Sequence, residues 1–147
     1  MRITDLLSRD AVELNVSAGS KNEIIQKMVD LMDKTGNISD KKEYERLGFE
    51  REKEGTTGVG EGTAIPQGKS DCVKRPGLAA AVVPNGVEFD SLDGKPVNLI
   101  FLIAAPNTKD NVHLDVLSRL STLLMDLDFK NKLVQAKTKE EFLRLID

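Results

Sequence analysis

Cysteine and histidine are almost absent from this sequence of 147 residues, which contains one cysteine, Cys72, and one histidine, His113. A single cysteine cannot form a disulfide within the chain, and this pair cannot supply the clustered ligands of a structural zinc site. We therefore expect neither a metal nor another cofactor. A nucleophilic cysteine needs a base beside it, so the sequence favours an ordinary packed thiol at Cys72.

Long apolar runs and an excess of one charge are also missing. The longest apolar run, at 97–106, is about half the length that spans a bilayer, and the N-terminus lacks the unbroken apolar segment of a signal peptide. The 21 Lys and Arg nearly balance the 24 Asp and Glu, without a basic patch. We expect a cytoplasmic protein that binds proteins or small solutes, without nucleic acid as a partner and without direct membrane insertion.

The length and the pattern of apolar residues predict a single α/β domain, a small mixed sheet flanked by helices on both faces. Apolar runs at 77–84 and 97–106 are bounded by Gly and Pro and predict buried central strands, and 11–14 predicts a shorter strand. Between the two runs, the Asn85-Gly86 and Asp93-Gly94 pairs predict turns.

Four amphipathic segments predict the helices. Ser20 and Glu23 form a capping box before a helix from about 21 to 34, and a more polar helix runs from about 40 to 53 and carries Arg51. A leucine-rich helix follows Asn107, with apolar positions as far as Leu127, and a last helix begins after the cap at 138. We find no repeat or linker.

The segment 56–69, TTGVGEGTAIPQGK, is called the glycine segment below. It combines glycines, a proline and Lys69 in a pattern typical of a phosphate-binding site. Its glycines are not a dinucleotide fingerprint, because the segment follows a helix where that motif needs a strand. An ordinary tight turn also explains them. The residues alone also leave His113 open as a hydrogen-bonded boundary residue and Arg51 as a solvated helix residue. A position at a helix start favours the neutral imidazole of His113.

Taken together, the segments 51–69 and 99–124 resemble the enzyme IIA domain of the bacterial phosphoenolpyruvate-dependent phosphotransferase system, fructose/mannitol class. The motif is R-E, then T-G-x-G-x-x-x-A-x-P-H-[GA], with a second histidine about forty-five residues later at the start of a leucine-rich helix. The resemblance covers nearly the whole chain. It implies a phosphocarrier in sugar transport that takes a phosphoryl group from HPr and passes it to a cysteine of the enzyme IIB domain, which serves the membrane enzyme IIC.

The resemblance also implies site residues. Gln67 stands at the phospho-acceptor position, His113 at the second histidine, Arg51 at the phosphate-holding arginine, and Glu61 where mannitol-type members carry glutamate. A phosphate cradle is expected from the backbone of the glycine segment: Thr57, Gly58 and Gly60.

Gln67 departs from the family at the reacting atom. The nitrogen lone pair of an amide is delocalised into the carbonyl, so glutamine is not a nucleophile near neutral pH. Relay through position 67 is therefore expected to be blocked. Two interpretations remain open: an engineered or otherwise inactive phosphocarrier, or a native non-catalytic regulator of the nitrogen-related type that acts by binding partners.

Overall fold

Two long apolar strands form the middle of the sheet, as the sequence predicts: β5 (Gly77–Val87) and β6 (Val97–Pro106). In the computed structural model, which describes residues 2–147, they pair antiparallel, with Leu78 opposite Ile103. Both strands are buried along almost their entire length, because they have neighbours on both edges and helices above and below.

Within residues 2–147, four shorter strands complete a mixed sheet. β1 (Leu7–Glu13) runs parallel to β5, and β3 (Thr63–Ala64) and β4 (Gln67–Ser70) run parallel to β6 on its other side. The outermost strand, β2 (Gly58–Gly60), is antiparallel to β3. The sheet order is β1-β5-β6-β3-β2, with β4 also paired to β6.

In the described residues, five helices cover the sheet: α1 (Lys21–Asp33), α2 (Lys41–Glu54), α3 (Val112–Leu124), α4 (Leu127–Val134) and α5 (Lys139–Ile146). A short 3-10 turn at Ile3–Asp5 precedes β1. Four helices begin at residues whose side chains accept a backbone N–H three residues later: Ser20, Asp40, Asp126 and Thr138. No helix among residues 2–147 is both long and apolar enough to cross a bilayer.

The helices lie on both faces of the sheet, as predicted. A Cβ added at Gly77 would point toward α1 and would lie 3.4 Å from Met32 Sδ. Ala104 pairs with Gly77 and shares that face. Phe101, three residues before Ala104, points to the opposite face, where its ring centroid lies 6.1 Å from that of Phe142 in α5.

One predicted turn and one predicted helix were wrong. The Asn85-Gly86 pair does not turn the chain, because β5 continues to Val87 through a register shift against β6, with Gly86 at a φ of 75°. The predicted leucine-rich helix is two helices, since Asp126 accepts the N–H of Phe129 and starts α4. The Asp93-Gly94 turn is present, with the Gly94 N–H bonded to Ser91 O at 2.9 Å.

The N-terminal strand and the glycine segment also differ from the sequence interpretation. β1 begins at Leu7 rather than at residue 11, and its register against β5 shifts between Leu7 and Val12. Where the glycines suggested a tight turn, the segment forms the β2–β3 hairpin and then β4, so Gln67 is the first residue of a strand.

Candidate functional site: a cleft around Gln67

Strand β4 determines where Gln67 points. Successive side chains of a strand alternate between faces, and here Gly68 and Ser70 are buried whereas Gln67 and Lys69 reach the surface. Gln67 pairs with Ile103 of β6, so the strand is anchored to the buried centre of the sheet. One N–H of the Gln67 side chain donates to Ile65 O at 3.4 Å.

Tyr44 of α2 supports β4 from the buried side. Its ring lies against Gly68, where an added Cβ would be 2.8 Å from Cε1, so the close packing requires glycine at that position. The Tyr44 hydroxyl donates to Ile103 O at 3.1 Å, and complete burial raises the pKa of this phenol, which therefore stays a donor. These contacts fix the distance between α2 and the strand that carries Gln67.

Arg51 comes from the last turn of α2, where a cation interacts favourably with the C-terminal end of the helix dipole. Its Nη1 donates to Gly55 O at 3.0 Å. The side chain is half-buried and lines the same cleft as Gln67. Leu47, one turn earlier on the same helix face, also lines this cleft.

A charge network of largely buried side chains holds the end of α2 against the glycine segment, and two of its members, Glu52 and Lys21, were not singled out from the sequence. The side chain of Glu52 is only 6% exposed, and its Oε2 lies 2.9 Å from Lys21 Nζ of α1. The same carboxylate accepts both the backbone N–H and the hydroxyl of Thr57. Lys21 Nζ also lies 4.8 Å from the centre of the Phe89 ring, within the range of a cation–π interaction.

His113 is the second residue of α3 and lines the cleft from the other side. Its Nδ1 is buried and has no hydrogen-bond partner among residues 2–147. Burial lowers the pKa of His113, and the charge of Lys69 lowers it further. We assign the proton of the neutral ring to Nε2, because a proton on Nδ1 would bury an unpaired donor. The neutral ring expected from the sequence agrees with this lowered pKa. The causes are burial and the charge of Lys69, whereas the sequence pointed to the position at a helix start.

The cleft has a volume of about 300 Å³. Three of the predicted site residues, Arg51, Gln67 and His113, line this cleft together, although they are far apart in sequence. The complete lining of the cleft is Leu47, Glu50, Arg51, Glu54, Gln67, Gly68, Lys69 and His113. An amide side chain surrounded by a guanidinium, an ammonium and a neutral imidazole is suited to bind an oxyanion through charge-assisted hydrogen bonds.

Glu61 lies outside this cleft. It sits at the tip of the β2–β3 hairpin with a φ of 54°, is exposed, and lines a separate, mainly apolar groove with Val59 and Met125. Its backbone N–H donates to Asp93 at 2.9 Å and is the main cause of the lowered pKa of that carboxyl. Its own carboxylate lies 4.0 Å from Lys95 Nζ.

The three residues expected to form the backbone cradle do not line the cleft either. The N–H of Thr57 donates to Glu52 and that of Gly58 donates to Thr56 Oγ1 at 3.1 Å, so both donors are engaged within the protein. Gly58 packs against Ser91, whose Oγ would lie 2.5 Å from an added Cβ. Gly60 has a φ of 105° and begins the hairpin turn.

Cys72 is buried, and its Sγ lies 3.0 Å from Ser70 Oγ. This contact with a hydroxyl two residues away agrees with the expected packed thiol.

We predict that the His113 ring titrates below the pH 6.5 of an unperturbed histidine, because its pKa is lowered by burial and by Lys69. The unfolded chain, with the ordinary pKa, binds this proton first as the pH falls. The contribution of His113 to stability is therefore fully present above about pH 6.5 and is lost as the pH falls through the lower folded pKa. NMR titration of the ring of this single histidine measures the midpoint, and a midpoint above 6.5 would contradict the burial argument.

Comparison with known proteins gives consistent matches. The family model described as "Phosphoenolpyruvate-dependent sugar phosphotransferase system, EIIA 2" matches residues 5–147. The fructose-specific EIIABC component of Bacillus subtilis is 39% identical over 147 residues, which cover all of this chain and 23% of that protein. The chain thus spans less than a quarter of the length of this relative.

Two solved structures are similar over nearly their whole length. The nitrogen regulatory protein IIA-Ntr from Neisseria meningitidis has a TM-score of 0.91 and 30% sequence identity, covering 97% of each chain. Enzyme IIA-mannitol of Escherichia coli, in its complex with phosphorylated enzyme IIB-mannitol, has a TM-score of 0.84 and 28% identity, covering 96% of this chain and 98% of that one.

Proposed function

This chain belongs to the EIIA 2 family of the phosphoenolpyruvate-dependent sugar phosphotransferase system, and we propose that its cleft is a phosphoryl-relay site whose acceptor position is occupied by Gln67. With histidine at position 67, the domain would take the phosphoryl group from phosphorylated HPr and pass it to a cysteine of enzyme IIB. The sharing of one cleft by Gln67, Arg51 and His113 is the observation that carries this proposal.

The proposed relay consists of two transfers that balance. In the first, the phosphorus–nitrogen bond of phospho-HPr breaks as a bond forms to the ring nitrogen of histidine 67, and the HPr imidazole leaves with the electron pair. In the second, the thiolate of enzyme IIB attacks phosphorus and forms a phosphorus–sulfur bond, while the phosphorus–nitrogen bond breaks and the imidazole at position 67 leaves with the electron pair. Arg51 and the Nε2–H of His113 would bind the oxygens of the transferred group, whose charge they stabilise from fixed positions.

The present chain would stop before the first transfer. Gln67 has a delocalised amide nitrogen and an amide oxygen of very low basicity, so neither atom forms a stable bond to phosphorus in water. The surrounding cleft is intact, with β4 held by Ile103 and Tyr44. We therefore propose that the chain retains partner docking and oxyanion binding while phosphoryl acceptance is lost.

Docking is tested by titrating the isotope-labelled chain with unphosphorylated HPr. We expect chemical-shift changes at Arg51, Gln67, Lys69 and His113, because protein recognition depends on the rim of an interface as well as on its central side chain. The internal control is a groove with different lining residues, which include Asp5 and Arg75. Shift changes that are absent around Gln67 and His113, or present only near the control groove, would contradict the proposal.

A second candidate function is regulation by partner binding alone; the Neisseria relative is named a nitrogen regulatory protein. The TM-score of 0.91 to this nitrogen regulatory protein favours this candidate. The two candidates differ at position 67 of the source gene. A histidine codon there would support a blocked phosphocarrier, and a glutamine codon would support a regulator without relay.

A further inference from the structure

Lys69 shares the exposed face of β4 with Gln67. The two residues are separated only by Gly68, so their side chains point to the same side of the strand, about 7 Å apart along it. Lys69 lines the cleft together with Arg51 and His113. Its side chain is exposed, whereas Gly68 and Ser70, on either side, are buried.

Lys69 has no ion-pair partner in the part of the chain that the structure describes. Among residues 2–147, none of the ion pairs within 4.0 Å involves Lys69 or Arg51. The cleft also contains two carboxylates, but Glu50 already pairs with Lys53 at 3.1 Å. Among the described residues that line it, the cleft thus contains two cations without an ion-pair partner within 4.0 Å and, besides the paired Glu50, the carboxylate of Glu54.

We propose that Lys69 is the second cation of the oxyanion site and binds an oxyanion beside Gln67 together with Arg51; in a Gln67→His chain this anion would be the transferred phosphoryl group. A phosphoryl group on a side chain carries between one and two negative charges near neutral pH, so a single guanidinium leaves part of that charge uncompensated. A lysine ammonium, a point charge on a flexible stem, follows such a group as it arrives and leaves.

Lys69 also influences the third polar group of the site. Its charge is one cause of the lowered pKa of His113, with burial as the larger cause. In the neutral form, the ring offers one N–H to the anion without adding a third positive charge. The charged groups that face His113 across the cleft are Lys69 on β4 and Glu50, Arg51 and Glu54 on α2.

This inference rests on the proposed function, because the phosphoryl group is the oxyanion that the relay would bring to the cleft. Its test uses inorganic phosphate and the unmodified position 67, so it requires neither HPr nor an acceptor. Failure of the relay and failure of the role of Lys69 are therefore distinguishable.

The experiment is a titration with inorganic phosphate at low ionic strength, where exposed charges are least screened, followed by backbone and His113 ring chemical shifts. For Lys69→Gln we expect about tenfold weaker binding and a higher His113 pKa. Lys69→Arg keeps the charge and should retain most of the affinity. The matched control is Lys132→Gln, at an exposed position of α4 outside the cleft lining, which should leave both quantities unchanged.

If the Lys69→Gln chain binds phosphate as tightly as the unmodified chain, the proposed role of Lys69 is wrong. The same holds if Lys132→Gln weakens phosphate binding as much as Lys69→Gln does. An absence of phosphate-induced shifts at Gln67 and His113 in the unmodified chain would overturn the oxyanion site itself. If phosphate binds and depends on Lys69 while a chain with histidine at position 67 accepts no phosphoryl group, this inference stands and the proposed relay fails.

Discussion

Gln67→His is expected to convert this chain from one that accepts no phosphoryl group to one that accepts about one per molecule. The substitution supplies an in-plane nitrogen lone pair in a cleft that already contains Arg51, Lys69 and the neutral ring of His113. The measurement is the intact mass of the protein after incubation with phosphoenolpyruvate, enzyme I and HPr, with loss of the adduct in acid.

Gln67→Asn is the matched control, because it keeps an amide at the same position and should remain unmodified. A Gln67→His protein that folds, binds HPr and still accepts no phosphoryl group would show that the cleft is not a relay site.

His113 has its own test in the Gln67→His background. Combining that substitution with His113→Ala should lower the rate of transfer about a hundredfold, the usual effect of removing one hydrogen-bond donor to developing charge. Rapid-quench measurement of transfer from phosphorylated HPr gives this rate. Transfer at the full rate in the double variant would make His113 a packed boundary residue.

Glu52→Ala is expected to lower the free energy of unfolding by about 3 kcal/mol, the magnitude typical of breaking a buried ion pair from one side. It leaves the ammonium of Lys21 without its carboxylate and leaves the N–H and hydroxyl of Thr57 without their acceptor. Chemical denaturation followed by circular dichroism measures the change.

Glu54→Ala is the control for this prediction, because Glu54 is an exposed residue in the same last turn of α2. It should change the stability by about 0.5 kcal/mol or less. Glu52→Gln should fall between the two, since it keeps an acceptor for Thr57 but loses the charge. Equal effects of Glu52→Ala and Glu54→Ala on the free energy of unfolding would show that the charge network does not stabilise the fold.

The parts of the fold that depend on local sequence could be predicted. β6 has the predicted bounds, and α1 begins after Ser20 as its capping box indicates. The Asn85-Gly86 prediction was wrong because a positive φ suits a bulge as well as a turn, and pairing with β6 decides between them. Strands β2 and β3 were not predicted, because they have only three and two residues. β2 pairs with β3 across one short turn, and β3 pairs with β6, which is distant in sequence.

The residues of the site also fall into two groups: those that a local sequence motif identifies, and those that are brought together only by the fold. The motif residues Gln67, Arg51 and His113 were identified from the sequence, and the fold places them in one cleft. The network of Glu52 with Lys21 was missed, because it joins two helices and no local pattern specifies that contact. Glu61 stands near Gln67 in sequence, yet the hairpin turn carries it into a different groove.

We propose that the cleft of this chain is a phosphoryl site that lacks an acceptor. The most direct measurement is the phosphorylation state of the unmodified chain after exhaustive incubation with phosphoenolpyruvate, enzyme I and HPr. We predict no acid-labile adduct, because Gln67 has no nucleophilic atom and the ring of His113 presents its protonated Nε2. A stoichiometric adduct at His113 would contradict the account.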